Sequence, residues 1–304
     1  MSEFAFLFPG QGSQHAGMGA EVLEDPEVAE LAASCSAAAG VDLSRLLIEA
    51  DDDELRLTMN AQPALVFMSV ALARLLARRG VCPSAAAGHS VGEYAALCVS
   101  GAIAPEEAVR TVVERGRAMA EAAPAGTSSM AAVLGMAAEA VEAALIGVPD
   151  VWPANYNTPT QVVIGGTMLG LERATERLKT AGARRVMPLN VAAAFHTPLM
   201  ESAGGVLRGA LEMASWRPPE VPVVANLTAE PYRDAGGISA ALQRQLSSPV
   251  RWSESVQRLS AMGCDRFVEV GPKRALTGMM RELVRGAPAH AVSGPGSVAD
   301  LPLT

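Results

Sequence analysis

Cysteine is scarce and scattered in this chain. It has 4, Cys35, Cys82, Cys98 and Cys264, and no two are spaced as a Cys-x-x-Cys pair. That excludes the common zinc and redox motifs and points to reduced thiols in a cytoplasm, with no metal site. Long apolar runs are missing too. Arg, Asp, Glu, Gly and Pro interrupt every stretch before it reaches the roughly 18 residues of a membrane span. Met1-Ser2-Glu3-Phe4 has no basic region ahead of an apolar one, so no secretory signal is expected. Lysine is nearly absent: only Lys179 and Lys273 occur, and arginine supplies the remaining positive charge. Positive charge is outweighed overall, and a net charge of −8 argues against nucleic-acid binding. No internal repeat or low-complexity segment is present. What the chain does have is apolar side chain, 50% of 304 residues, enough to build one large domain or two small ones.

Strand and helix patterns alternate along the first part. Phe4–Phe8 reads as a buried strand that ends at Pro9-Gly10. Residues 63–79 have helical apolar spacing and stop at Gly80. A helix over 105–122 starts on Pro105, with Pro124 and Gly126 beyond it. This order predicts an α/β fold with a mainly parallel sheet. Residues 127–191 follow another pattern: strand 130–134, helix 137–145, strands 151–155 and 161–164, helix 169–181, strand 185–189. That βαββαβ order predicts a ferredoxin-like unit. Pro124-Ala125-Gly126 and Ala192-Ala193-Ala194 would be its hinges. The remaining segments are read as helix 198–214, strand 221–225, helices 238–246 and 253–262, strand 266–270 and helix 274–284. The tail after Gly286 is expected to be loosely held. The organisation read from this is a large domain, 1–126 plus 192–304, with 127–191 inserted. A cleft between the two is the default substrate site.

Gly88-His89-Ser90-Val91-Gly92 carries the strongest chemical signal. Small residues lead into it and a helix-forming run follows, as in a nucleophile elbow. A serine on such a turn projects its hydroxyl, and the helix N-terminus behind it offers N–H groups to an oxyanion. A chance match in a Gly- and Ala-rich chain is the bland alternative. The serine needs a base. His89 precedes Ser90 on the strand and should face away from it. His15 lies in a Gly-rich loop. His290, with Asp265 upstream, would complete a hydrolase order of Ser90, Asp265 and His290. His196, in Phe195-His196-Thr197-Pro198, sits where the second domain crossing meets a helix start, at the mouth of the inferred cleft. The Gly-rich turn at 8–14 could point N–H groups at a ligand. Arg115 could be a solvated helix residue or, in a cleft, a two-point partner for a carboxylate.

These motifs jointly resemble the bacterial malonyl-CoA:acyl carrier protein transacylases and the acyltransferase domains of polyketide synthases. The matching stretches are Phe8-Pro9-Gly10-Gln11-Gly12-Ser13-Gln14, Gln62-Pro63-Ala64, Gly88–Tyr94, Arg115-Gly116, Asn155-Tyr156-Asn157-Thr158-Pro159-x-Gln161, Phe195-His196, Gln245-Leu246-x-x-Pro249-Val250 and Glu269-Val270-Gly271-Pro272. They run almost the whole length of the chain in order. The resemblance implies a hydrolase-like large domain with a ferredoxin-like insert. It implies that Ser90 is acylated, that His196 is its base, and that the N–H groups of Gln11 and Val91 form the oxyanion hole. Arg115 would hold the free carboxylate of a malonyl group, beside Gln62 and Phe195 in the acyl pocket. The backbone carbonyl of Gln245 would orient the histidine. Asn157 and Gln161 would lie on the pantetheine side, and Arg184 and Arg185 would face an acidic carrier protein. No cofactor is implied beyond the substrates, malonyl-CoA and phosphopantetheinyl carrier protein, and a monomer is expected. One departure stands out. Ala193 replaces the histidine that many polyketide malonyl domains carry three residues before the base, and Ala192–Ala194 could leave a roomier pocket. A discrete polyketide acyltransferase loading another acyl unit is therefore an alternative. A serine thioesterase and a non-catalytic carrier-protein-binding subunit are the others.

Overall fold

The computed structural model of the chain describes residues 3–122, 124 and 126–302. Met1 and Ser2 of the expected leaderless start, and Ala125 of the expected hinge, lie outside them. The first segment holds β1 (Phe4–Phe8), α1 (Pro26–Ala39), α2 (Leu43–Ile48), α3 (Asp52–Arg56), α4 (Thr58–Arg78), β2 (Ala85–Gly88), α5 (Gly92–Val99) and α6 (Pro105–Glu121). Next come β3 (Ser128–Leu134), α7 (Ala138–Leu145), β4 (Val151–Thr158), β5 (Gln161–Thr167), α8 (Met168–Thr180) and β6 (Arg185–Pro188). The last segment holds α9 (Glu201–Met213), β7 (Val223–Val224), α10 (Gly236–Gln245), α11 (Trp252–Ala261), β8 (Arg266–Val270), α12 (Met280–Leu283), β9 (Ala289–Val292) and α13 (Pro295–Ala299).

Two sheets organise these elements. One is parallel, in the order β7-β2-β1-β8-β9. The other is antiparallel, in the order β4-β5-β3-β6, which is the ferredoxin-like arrangement expected for residues 127–191. Strand alternation splits the core into layers. Phe6 and Phe8 of β1 face the cluster built around α4, while Ala5 and Leu7 face Trp252 and Phe267 on the other side. In β3, Ala131 and Val133 pack under α7 and α8, whereas Met130 and Ala132 point back towards the large core. The small sheet therefore has one face on its own helices and one on the cleft.

Helix α4 starts at Thr58, five residues before Pro63, so the proline sits inside the helix. This extra turn brings Gln62 under α6. Gly116 allows the close approach, since a Cβ there would stand 2.8 Å from the Met59 Cα. By length and composition α4 could cross a membrane, but 83% of its most apolar window is buried within the molecule. Helices α1 to α3 had no counterpart in the sequence reading. Each has an aspartate N-cap, Asp25, Asp42 and Asp51.

Two expectations for the C-terminal part are corrected. The helix expected over 274–284 exists only at Met280–Leu283. The buried Glu269 carboxylate captures the N–H groups of Ala275, Leu276 and Thr277 at 2.7–2.9 Å and wraps the chain around itself instead. The tail after Gly286 is also well held. β9 extends the parallel sheet beside β8, α13 packs on α4, and Val298 and Leu301 are buried.

Candidate active site

Ser90 stands between β2 and α5 with φ 54°, a left-handed backbone that a non-glycine residue adopts only when its surroundings impose it. Gly92 is one such constraint: a Cβ on it would meet the Phe8 carbonyl oxygen at 2.2 Å, so only glycine lets α5 start against β1. Asn226, just after β7, is the other. Its side-chain oxygen accepts the Ser90 N–H at 2.7 Å, and its amide donates to the Gly88 carbonyl at 2.6 Å. One buried amide thus clamps both sides of the turn.

The Ser90 hydroxyl lies 2.7 Å from His196 Nε2. His196 Nδ1 donates to the Gln245 backbone carbonyl at 2.8 Å. That bond places the proton on Nδ1 and leaves Nε2 free to accept from the serine. His196 also has a left-handed backbone, φ 60°. Burial, reinforced by the Arg115 charge, pushes its pKa down to about 3, so the ring is neutral at neutral pH.

Arg115 projects from α6 and is 1% exposed. One terminal nitrogen donates to Gln62 Oε1 at 2.9 Å, and the other to Gln245 Oε1 at 2.9 Å and Ser90 Oγ at 3.2 Å. Its Nε finds no partner, and the guanidinium sits 5.8 Å from the Tyr94 ring centre. Burial lowers its pKa from the ordinary arginine value. The helix is thus not presenting a solvated cation; it carries a buried one into the cleft beside the nucleophile. Such a group can receive a carboxylate on two points.

A cavity of about 230 Å³ opens over these groups. Gln11, Ser90, Val91 and Arg115 line one wall, Met130, Asn157 and Val163 from the small sheet the other, and Phe195 and His196 join them. The N–H groups of Gln11 and Val91 donate to no backbone carbonyl among the described residues outside regular helix and strand pairing.

Several expected positions move. Gln62 is buried behind Arg115, bonded to it and to Met119 Sδ, and does not line the cavity. Gln161 also stands back, accepting from Asn157 Nδ2 at 2.9 Å. Ala193 and Ala194 are buried and do not line the cavity, and Ala192 is exposed. Arg184 and Arg185 are exposed at the start of β6. His290 lies in β9 on a separate surface cavity, and Asp265 accepts from the Glu3 N–H, so the alternative hydrolase trio does not assemble. His89 faces Asn157 at 3.0 Å and packs on Trp252. His15 is half-buried on its loop and contacts the Ala16 carbonyl. No group of three metal-ligating side chains occurs among the described residues.

Asn226, Glu93 and Tyr232 were missed by sequence reasoning. Glu93 alone had a signal, an acidic residue in the apolar first turn of α5.

The acyl transferase domain family profile matches residues 5–295. The chain is 42% identical over 303 residues to the malonyl CoA-acyl carrier protein transacylase of Bacillus subtilis, covering 98% of this chain and 96% of that one. It is 42% identical over 305 residues to the enzyme of the same name from Escherichia coli K12, covering 98% of each. Among solved structures, the malonyl CoA-acyl carrier protein transacylase from Coxiella burnetii superimposes with a TM-score of 0.94 at 36% identity, over 98% of this chain and 96% of that one. A malonyl-transacylase in complex with its type II PKS acyl-carrier protein superimposes with a TM-score of 0.93 at 40% identity, over 98% of both chains.

Proposed function

The chain belongs to the acyl transferase domain family, and from that premise we propose that it moves a malonyl group from coenzyme A to the phosphopantetheine thiol of an acyl carrier protein. The observation that carries the reading is the Ser90–His196–Gln245 hydrogen-bond chain set beside a buried Arg115.

In the first half-reaction Ser90 Oγ attacks the thioester carbonyl carbon while His196 Nε2 takes its proton. The N–H groups of Gln11 and Val91 receive the oxyanion, each typically worth about 3 kcal/mol. The carbon–sulfur bond breaks, His196 returns the proton to the departing thiolate, and malonyl-Ser90 remains. In the second half the carrier protein's thiol gives its proton to His196 and attacks the ester, and Ser90 Oγ leaves reprotonated. Arg115 exchanges its bond to Ser90 for the malonyl carboxylate. An acetyl or fatty acyl group would leave that guanidinium buried and unpaired, which disfavours it. Phe195 on the cavity wall narrows the space for an α-branch. The chemistry runs on the chain's own groups and two thioester substrates, so the reading calls for no resident cofactor.

Residues 127–191 act in this reading as an inserted domain that closes one side of the cleft. Asn157 lies on the pantetheine side, and exposed Arg184 and Arg185 meet the acidic carrier protein. The reading takes the enzyme as a cytoplasmic monomer, in fatty-acid or polyketide assembly. Intact-mass spectrometry after mixing with malonyl-, acetyl- and longer acyl-CoA tests it. A stable malonyl adduct on Ser90, absent from Ser90→Ala, is expected. Labelling that survives the substitution, or a preference for an uncharged acyl group, overturns the assignment.

A further inference from the structure

A fully buried carboxylate beside the site, that of Glu93, is used by nothing in the reaction above. Glu93, in the first turn of α5, accepts three hydrogen bonds from two separate segments, the stretch after β7 and the end of α10. Tyr232 Oη donates to Oε1 at 2.5 Å, and Gln245 Nε2 and the Asn226 N–H donate to Oε2 at 2.6 and 3.2 Å. Two of these donors are themselves clamps. Asn226 holds both sides of the Ser90 turn. Gln245 holds His196 through its carbonyl, the Ser90 carbonyl through Nε2 at 3.0 Å, and Arg115 through Oε1. The Gln245 amide has one useful orientation. Its nitrogen must face the carboxylate so that its oxygen can face the guanidinium. A buried Arg115 also needs a counter-charge, and Glu93 stands on the far side of that same amide.

We propose that Glu93 is a positioning residue for acyl transfer: its ionised carboxylate fixes Asn226 and Gln245, and through them the nucleophile, the base and the arginine. This rests on the malonyl-transfer reading. The titratable and charged groups that bear on Glu93 are Arg115 from α6, Tyr94 on its own helix and Tyr232 from the segment after β7. Burial is the main cause that pushes its pKa up, to about 7, and the Tyr232 bond works against that rise. His196 stays neutral to much lower pH. The acid limb of the reaction therefore belongs to Glu93.

The test is the pH profile of kcat/KM for Ser90 acylation by malonyl-CoA, with wild type, Tyr232→Phe and Glu93→Gln. Wild type should lose activity as pH falls through about 7. Tyr232→Phe, which removes one donor to the carboxylate, should move that limb to higher pH. Glu93→Gln should abolish the limb and cut kcat/KM at least about tenfold on its alkaline side. A residue with only a packing role would change the height of the profile and not its midpoint. A limb unmoved by Tyr232→Phe, or retained by Glu93→Gln, overturns the proposal. A wild type that takes up no malonyl group at any pH overturns the acyl-transfer reading and this proposal with it.

Discussion

At the scale of single residues, the site is built from groups whose hydrogen bonds fix one another, and Arg115 shows what this does to specificity. Gln62 and Gln245 hold the guanidinium before any substrate arrives. Little ordering therefore remains when a carboxylate binds. Arg115→Ala should lower kcat/KM for malonyl-CoA by about 10²–10⁴-fold, in line with the roughly 3–5 kcal/mol of breaking a buried charge pair. Transfer from acetyl-CoA should change little or rise. Arg115→Lys should restore little, because an ammonium cannot reach two oxygens and both glutamines in one plane. Parallel assays with the two thioesters check this, and equal losses would make Arg115 a structural residue. His196→Ala should cut transfer by about 10²–10⁴-fold while His290→Ala does little. Stopped-flow acylation of the two variants decides between them. Much of this site is legible in the sequence. Ser90 announces itself by its spacing, and His196 and Arg115 through motifs that recur together. Asn226 is not legible. It lies in Val224-Ala225-Asn226, an ordinary strand end, and its clamp on Ser90 spans more than a hundred residues that no local pattern connects.

At the scale of elements, agreement follows the period of the side chains. The βαββαβ run of 127–191 shows short apolar runs for its strands and helical stripes between them, and its six elements fall within a few residues of their expected places. Residues 274–284 look equally helical, yet Glu269 outcompetes the helix for three of their N–H groups. A side chain eight positions away cannot be weighed from local propensity. That wrapping has an energetic consequence. Glu269→Ala should destabilise the protein by about 1–3 kcal/mol, chiefly by orphaning the buried Leu276 N–H, since the Ala275 and Thr277 N–H groups lie nearer solvent. Urea unfolding followed by circular dichroism measures it. A loss under about 1 kcal/mol would mean that water satisfies these donors instead.

For the molecule as a whole, acid stability should carry the signature of its buried histidines, His89 and above all His196. The folded pKa of His196 is depressed to about 3 from an ordinary 6.5. Its contribution is therefore present above about pH 6.5 and is lost as pH falls towards 3, where protonation favours the unfolded chain. A His196→Gln variant lacks this loss. Its Tm minus that of wild type should rise steadily as pH falls through the window, and a flat difference in scanning calorimetry would contradict the burial argument. Charge at this scale also bears on the partner. Double reversal of Arg184 and Arg185 to glutamate should raise KM for the carrier protein and flatten its salt dependence. Acylation of Ser90 by a malonyl thioester without phosphate groups should be untouched. Steady-state assays at two ionic strengths read both effects.

The apolar helix α4 carries a cost that the finished fold conceals. A ribosome releases residues 58–78 before α6 has emerged to cover them and well before α13 has been made. For that interval the nascent chain displays an apolar segment whose burying partners are not yet in place. Its safe passage depends on the pace of synthesis and on chaperones that shield it until the later helices arrive. Messages truncated before α6 should therefore yield products that pellet with membranes or aggregates, while the full-length chain stays free of both.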